Sequence, residues 1–297
     1  DVAFLVYPSL NTSRFEHVLG TCRVAGMMAE NATKSPKWRS YSNELKVKTS
    51  ITSKDDFVQL CRLYALLHDI GHLPLSHLFE MAVKSWATNY AKIIEEWTGV
   101  AGFESLHEAL GAVIAKRITQ DISLSEPIVN ALVTLMIEKK LPLKNPLHLI
   151  QSLVASEIDA DRIDFVQRDG FLAGGEYGHY DIRRLCDSVF IEHDRRGWFI
   201  TFSEKALTSM EALLHDRYRT HVWIHFHHRV VTTKMLVIFL IQKALDQRII
   251  TKEHFDPTDV EAFSLKDDVW LWSVLREMKA DDETTRMVQH AVFYREK

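Results

Sequence analysis

The chain has 297 residues, of which 46% are hydrophobic, and its 36 Lys and Arg against 40 Asp and Glu give a net charge of −4. This balance argues against an overall electrostatic footprint for nucleic acid, and the apolar fraction is ample for a large core. The three cysteines form no CxxC pair, which fits a reducing compartment. No apolar run reaches the roughly 18 residues of a membrane span, so we expect a cytoplasmic protein without a membrane segment.

The first elements are predicted from apolar patterns and helix caps. Residues 2–7 form an apolar run ended by Pro8, which predicts a short strand. Ser13 followed by Glu16 is a capping box, which predicts a helix start. Residues 31–52 are polar, so we expect a loop or a poorly ordered insertion there. Because the chain does not begin with Met, we also expect further residues upstream.

Helical spacing of apolar residues dominates the rest of the chain. A helix over residues 56–69 has a candidate cap in Ser53 and is stopped by Gly71 and Pro74. Two β-type runs within residues 188–202 predict a hairpin. Further helices are predicted over residues 79–98, 105–118, 126–140, 149–168, 203–228 and 232–245, with short helices between 256 and 297. The predicted fold class is mainly α with one or two small β-hairpins, in one large domain, because no linker-like tract divides the chain.

The adjacent pair His68 and Asp69 lies at the end of the predicted buried helix. A buried carboxylate is costly unless a cation or hydrogen bonds compensate it. Imidazole and carboxylate together suit a divalent metal. We therefore interpret this pair as part of a metal site, with a merely structural cluster as the alternative.

A metal needs more ligands, and two polar residues stand on other apolar helix faces. His17 lies one turn into a helix of small and apolar residues. Asp161 has core-type residues at helical spacing on either side, so its carboxylate is expected to point toward the core. The plain alternatives are a hydrogen-bonded core histidine for His17 and an ion pair with Arg162 or Arg168 for Asp161.

Three motifs together resemble the HD-domain phosphohydrolase superfamily: RFEH at residues 14–17, HDIGH at 68–72 and DRID at 161–164. The longer similarity, from about Tyr7 to Leu245, is with the deoxynucleoside triphosphate (dNTP) triphosphohydrolase branch. The resemblance implies an HD-domain helical bundle around a metal site over residues 1–245. Residues 246–297 are then expected to form a helical extension packed on the same domain.

The resemblance also implies a ligand set and a reaction. Four residues would bind one divalent metal ion, which is Mn, Mg, Fe, Ni or Zn: His17, His68, Asp69 and Asp161. The metal would polarise a phosphoryl oxygen or lower the pKa of a bound water. In this branch the α-phosphorus is attacked, and a dNTP is cleaved to a deoxynucleoside and inorganic triphosphate.

The remaining site residues are carried over from the same family motifs. His107 matches the catalytic acid that protonates the leaving oxygen, and Glu108 or Glu80 would orient it. Cationic and imidazole side chains for the triphosphate are Arg14, His72, His77, Arg162 and Arg217. Positions near the sugar and base are Phe165, Asp169, His221 and His225. Taken singly, His107 also fits a helix-surface histidine, and the arginines and Asp169 fit plain ion pairs.

Two departures leave the substrate open. Phe165 and His225 stand where the human member of the branch has tyrosines that contact the sugar. Another HD phosphohydrolase, acting on a phosphomonoester, phosphodiester or oligonucleotide, is therefore an alternative, and a non-catalytic nucleotide sensor is a further one. The loop over residues 170–179 lacks a nucleotide-binding glycine fingerprint and is interpreted as a flexible connection.

The expected partners follow from the same residues. We expect a dNTP as substrate and a homo-oligomer regulated by nucleotides. The basic and aromatic stretch at residues 215–229 has a composition that contacts nucleic acid in other proteins. A helix shared between a nucleotide pocket and a subunit contact is the favoured interpretation of that stretch, with nucleic acid as the less favoured one.

Overall fold

A computed structural model describes residues 2–175 and 177–294. It is 66% helical, so the predicted mainly α class is confirmed. In chain order the α-helices of this described part are α1 (Arg14–Ala32), α2 (Trp38–Thr49), α3 (Lys54–Leu67), α4 (His77–Trp86), α5 (Tyr90–Thr98), α6 (Leu106–Asp121), α7 (Glu126–Ile137), α8 (Leu147–Val154), α9 (Ala160–Leu172), α10 (Ile182–Asp187), α11 (Leu207–Arg219), α12 (His228–Asp246), α13 (Val260–Ser264), α14 (Asp268–Glu277) and α15 (Glu283–Phe293).

The predicted hairpin is also present. Strands β1 (Val189–Asp194) and β2 (Gly197–Phe202) pair antiparallel, with Val189 opposite Phe202. Asp194 pairs with Gly197 at the closed end, where Gly197 has a φ of 135°.

The described chain forms two compact units. Unit A comprises residues 9–69 and 119–224, and unit B comprises the described parts of residues 1–8, 70–118 and 225–297. The predicted boundary after residue 245 remains a prediction.

In unit A, α1 packs against α3 and α9. The Ser13–Glu16 capping box fixes where α1 begins, because each side chain satisfies a backbone N–H of the first turn. Small residues such as Ala25 and Ala29 are fully buried and let the helices approach closely. This packing brings the first turns of α1 and α9 next to the end of α3.

In unit B, α12 is the central helix and packs against α4, α14 and α15. Its apolar face buries Val237 and Ile241, and the surrounding elements add Phe79, Leu110 and Leu271. The C-terminal helices therefore belong to the same apolar core as α4 and α6. This shared core fixes the positions of α4, which carries His77, and of α6, which carries His107.

Two local predictions are wrong. Residues Val2–Leu5 form a 3₁₀ helix and not a strand. The predicted loop 31–52 contains α2, whose Tyr41 and Leu45 are buried one helical turn apart. These two apolar anchors outweigh the polar composition around them, since tertiary packing stabilises an amphipathic helix more than propensity does.

Three predicted helices are interrupted. The 79–98 helix is divided between α4 and α5, and the 149–168 helix between α8 and α9. The side chains of Asn89 and Asp159 cap the second half in each case. Within the predicted 203–228 helix, α11 ends at Arg219, and a π-helical turn, Thr220–His225, follows it. Apolar spacing continues across these breaks, so periodicity alone did not reveal them.

Two findings concern the remaining sequence predictions. The predicted 170–179 loop includes Glu176, which lies outside the described residues. Among the described residues, no individual helix has the length and apolar content to cross a membrane, and segments 204–225 and 228–246 meet that test only as a bent pair.

Candidate metal centre and histidine group

Four side chains converge in unit A at the ends of three helices. His17 lies in the first turns of α1, His68 and Asp69 follow α3, and Asp161 lies in the first turn of α9. One ligand atom from each of these four residues lies within 4.8 Å of all the others. The structure brings these four predicted ligands together, and their role in binding a metal ion remains a prediction.

The distances between these atoms fit a shared cation. His17 Nε2 lies 2.9 Å from Asp161 Oδ1 and 3.9 Å from Asp69 Oδ2, and His68 Nε2 lies 3.5 Å from Asp69 Oδ1. Ligands bound at about 2.1 Å are about 3.0–3.4 Å apart at octahedral and tetrahedral angles. Two carboxylates and two neutral imidazoles also balance a double positive charge.

His17 is held between two carboxylates. Its Nδ1 bonds to Asp164 Oδ2 at 2.8 Å, and its Nε2 bonds to Asp161. Burial favours the neutral ring, but the hydrogen bonds to Asp161 and Asp164 prevail and raise the pKa of His17 to about 9. The imidazolium therefore supplies the positive charge that the carboxylates require, and a metal ion would replace the Nε2 proton.

His68 presents a nitrogen that suits a metal. Its Nδ1 donates to the Ala65 carbonyl oxygen at 2.7 Å, which fixes the ring orientation. Its Nε2 is buried and has no hydrogen-bond partner among the described residues. Burial lowers the pKa of His68, but the Asp69 and Asp161 carboxylates and the bond to the Ala65 carbonyl together raise it above its ordinary value. Both imidazoles therefore lie in an environment that attracts cations.

The plain ion-pair alternative for Asp161 does not describe this site. Arg162 pairs with Asp159, and Arg168 pairs with Asp164 at 2.8 Å. Burial raises the pKa of Asp161, but His17 and His68 together lower it more and keep it below its ordinary value. Asp161 is thus ionised and directed at the two histidines.

Asp164 is a residue that sequence reasoning missed. Its carboxylate bonds the outer nitrogen of His17 and is itself fixed by Arg168, as expected for a carboxylate behind a metal-binding histidine. Gly20, one turn after His17, makes room for it, because a Cβ there would lie 1.8 Å from Asp164 Oδ1. The spacing of Asp161 and Asp164, three residues apart on one helix, was the available signal.

Asp159 was also missed. Its fully buried side chain caps α9 by accepting from the Arg162 N–H at 2.7 Å. Burial and the nearby Asp161 charge raise the pKa of Asp159 to about 7. This cap starts α9 two residues before the ligand and so sets the direction of the Asp161 side chain.

A second group of imidazoles lies in unit B. The rings of His72 and His107 stack with centroids 4.0 Å apart and planes 9° apart. His77 stands edge-on to both rings, with centroid distances of 4.6 and 5.4 Å. One nitrogen from each of these three residues lies within 4.8 Å of the other two.

A carboxylate holds one ring of this group. His107 Nδ1 donates to Glu80 Oε2 at 2.5 Å, and Tyr90 donates its phenol hydrogen to Glu80 Oε1 at 2.5 Å. The Leu106 N–H adds a bond to Oε1 at 2.6 Å. Burial raises the pKa of Glu80, but His107, the Tyr90 phenol and the Leu106 N–H together lower it below its ordinary value. Glu80 is therefore ionised and orients the ring.

Gly71 permits the approach of the helix that carries His107. A Cβ at Gly71 would lie 2.1 Å from the His107 carbonyl oxygen and 2.2 Å from the Gly111 nitrogen. A larger residue at the glycine of the HDIGH motif would clash, because the backbone before His72 runs directly against α6.

A family model of the HD domain matches residues 14–164, which is half of the chain. The chain belongs to the HD-domain phosphohydrolase superfamily. The matched region carries all four candidate ligands, the three histidines of unit B and Glu80. The predicted superfamily is confirmed.

Curated relatives of this HD protein share about a quarter of its residues. An uncharacterized protein of Methanocaldococcus jannaschii is 27% identical over 93% of this chain and 47% of its own length. A Dictyostelium discoideum protein named as a deoxynucleoside triphosphate triphosphohydrolase SAMHD1 homolog is 26% identical over 75% of this chain and 38% of its own length. The chain spans about half the length of the curated relatives it matches.

Solved structures share the fold. A hypothetical protein from Aquifex aeolicus has a TM-score of 0.66 at 23% identity, over 99% of this chain and 65% of its own. A structure named as a phosphohydrolase from Bacteroides thetaiotaomicron gives the same TM-score at 20% identity, over 99% of this chain and 67% of its own. At these identities the likeness concerns the helical architecture of the HD protein alone.

The remaining residues predicted to contact the substrate or to assist catalysis are located as follows. In unit A, Arg14 pairs with Asp69, and Arg217 pairs with Glu157 at 3.2 Å. Phe165 and Asp169 are half-buried on α9, and His221 is half-buried in the π-helical turn. His225 is half-buried in unit B, and Glu108 follows His107 on α6. The substrate roles of all these residues remain predictions.

Proposed function

We propose that this HD protein is a metal-dependent dNTP triphosphohydrolase, which cleaves a dNTP to a deoxynucleoside and inorganic triphosphate. The observation that carries the proposal is the convergence of His17, His68, Asp69 and Asp161, with ligand distances that suit one divalent ion. The similarity to the Dictyostelium protein, whose name states that reaction, supports the choice of substrate class.

The unit A cluster is proposed to act on the phosphoryl group. A divalent ion bound there would polarise a phosphoryl oxygen and lower the pKa of a water molecule. Asp164 keeps the His17 ring oriented, and the Ala65 carbonyl does the same for His68. Arg14 and Arg162 are the proposed cationic contacts for the triphosphate, because guanidinium groups match phosphate oxygens in pairs.

His107 is proposed as the general acid. Its Nδ1 proton is committed to Glu80, so Nε2 is the nitrogen assigned to give a proton to the leaving 5′ oxygen. Glu80 stabilises the imidazolium form that carries this proton. His72 and His77 complete the imidazole group and are proposed to bind phosphate oxygens.

Product identity tests this reaction. Protein loaded separately with Mn, Mg, Fe, Ni or Zn is incubated with each dNTP and each ribonucleoside triphosphate, and products are separated by anion exchange and mass spectrometry. We expect deoxynucleoside and triphosphate in equal amounts. In H₂¹⁸O, attack at the α-phosphorus places the label in triphosphate and none in the nucleoside.

Other outcomes would contradict the proposal. Release of phosphate, pyrophosphate or a nucleotide would exclude this reaction type. Turnover of phosphomonoesters, cyclic nucleotides or oligonucleotides with dNTPs untouched would favour another HD phosphohydrolase. No turnover with any metal would favour a nucleotide sensor. Asp55→Asn, which alters an exposed carboxylate of α3, serves as a control that retains activity.

Assembly and regulation stay separate proposals. We propose a homo-oligomer whose association depends on nucleotides, which is the expectation stated in the sequence analysis. Light scattering of the protein with and without each nucleotide measures this directly, and an unchanged mass under all conditions would contradict it.

A further inference from the structure

The turn between His72 and α4 has an unusual backbone. Leu75 and Ser76 both have positive φ angles, 57° and 56°. Residues with a Cβ adopt such conformations rarely, and they persist where surrounding contacts hold them. Leu75 is almost fully buried in the core of unit B, so its side chain is fixed from one side.

A carboxylate from far along the chain holds the backbone of the same turn. The Leu75 N–H donates to Oδ1 of Asp268 at 2.7 Å, and Asp268 is the first residue of α14. A hydrogen bond to an ionised acceptor is stronger than a neutral one. Within the turn, the Ser76 N–H donates to the Leu73 carbonyl at 2.7 Å.

This turn determines where His77 points. His77 is the first residue of α4 and directly follows the two left-handed residues. Its ring stands perpendicular to the ring of His72 at 4.6 Å and lies 5.4 Å from that of His107. A rotation at Leu75 or Ser76 would move the start of α4 and separate His77 from this group.

We propose that Asp268 is a positioning residue for the reaction of this protein. By accepting the Leu75 amide hydrogen, it holds the left-handed turn that places His77 beside His72 and His107. The catalytic consequence rests on the proposed function, whereas the hydrogen bond and the His77 ring position are measurable without substrate. The C-terminal helices thereby contribute to the histidine group and not only to the core.

The neighbouring residue supplies a matched control. Asp267 is the N-cap of α14, and its side chain accepts from the Trp270 N–H at 2.8 Å. Removing either carboxylate weakens the start of the same helix. Of these two aspartates, Asp268 accepts a hydrogen bond from the turn that precedes His77, and Asp267 accepts one from its own helix.

The test compares Asp268→Ala, Asp268→Asn and Asp267→Ala in the full chain. In Asp268→Ala we expect hydrogen exchange of the Leu75 amide to accelerate about 10-fold, as for the loss of one hydrogen bond. The His77 imidazole signal in ¹H–¹³C NMR should shift, and kcat/KM for the dNTP should fall about 10-fold. Asp268→Asn should restore all three, since its amide oxygen also accepts.

Asp267→Ala should lower the melting temperature while leaving Leu75 exchange, the His77 signal and kcat/KM near wild-type values. If both alanine variants behave alike, α14 acts only as a structural support and the proposal is overturned. If Asp268→Asn behaves as Asp268→Ala, the hydrogen bond is not the cause. If the wild type turns over no dNTP, the proposed function fails, and exchange and NMR still decide the role of Asp268.

Discussion

The two imidazole groups of this HD protein differ in what surrounds their rings. In unit A, His17 and His68 lie among carboxylates, and one carboxylate, Asp164, lies behind the ring of His17. In unit B, three imidazoles lie against one another, and Glu80 holds one of them from its Nδ1 side. The same residue type therefore occurs in two different electrostatic surroundings.

The difference follows from charge. Carboxylates around an imidazole raise its pKa and attract cations, and here the hydrogen bonds to Asp161 and Asp164 raise the pKa of His17 to about 9 against the effect of burial. In unit B, the three imidazoles offer one nitrogen each within 4.8 Å of the others, and Glu80 bonds one of the rings. The nitrogens of the unit B group also have metal-ligand spacing. We propose that the unit A group, which adds carboxylates, binds the metal ion, and that the unit B group serves proton transfer and phosphate contact.

The largest effect is expected for Asp69→Ala, and comparing it with His72→Ala distinguishes loss of the metal ion from loss of catalysis alone. Asp69→Ala should abolish bound metal and reduce turnover by about 10³ or more, since Lewis-acid stabilisation contributes several kcal/mol. His72→Ala should reduce turnover while metal content, measured by elemental analysis, stays at one equivalent. Metal loss in His72→Ala would show that the two groups do not divide the chemistry in this way.

Glu80→Gln should have the next largest effect. The imidazolium of His107 loses its charged partner, so kcat should fall by about 10² while metal content is retained. A wild-type kcat in Glu80→Gln would remove Glu80 as the orienting residue and leave Glu108 as the candidate.

The same variant tests the pH dependence of stability. Because the bond from His107 lowers the pKa of Glu80 below its ordinary value of 4.5, this carboxylate stabilises the fold above pH 4.5. That contribution is lost as the pH falls through the lowered pKa. The melting temperature of wild type should exceed that of Glu80→Gln at pH 6, and the difference should shrink on acidification below about pH 4.5; a constant difference would contradict the shift.

Asp164→Asn should weaken metal binding about 10- to 100-fold, as the loss of a carboxylate behind a metal-binding histidine does. Titration with Mn and calorimetry measures the affinity. Arg168→Gln is the matched control, because it removes the ion pair with Asp164 and keeps the bond to His17. An equal loss of metal affinity in the two variants would show that the Asp164–Arg168 ion pair, and not the bond to His17, is the cause.

The smallest expected effect concerns Tyr90. Tyr90→Phe removes one hydrogen bond to Glu80, so stability should fall by about 1 kcal/mol and kcat by about 5-fold. Tyr41→Phe removes a comparable buried bond, to the Pro146 carbonyl in unit A, and should lower stability alone. Unfolding in urea and steady-state kinetics distinguish the two.

Local chemistry explains which predictions from sequence were confirmed. The caps at Ser13 and Ser53 and the 188–202 hairpin were predicted correctly, because each depends on residues within a few positions of one another. Helix 38–49 and the break before Asp159 were missed, because burial of Tyr41 and capping by a buried carboxylate depend on distant packing.

The sequence by itself determined the chemical types: a histidine–aspartate pair at a helix end, two further ligand candidates, and an imidazole-rich stretch after them. Only the tertiary structure decided which atoms meet. Helix packing placed His17 between Asp161 and Asp164, and the C-terminal Asp268 against Leu75. Contacts between residues more than a hundred positions apart depend on how helices pack, and a local pattern carries no information about that packing.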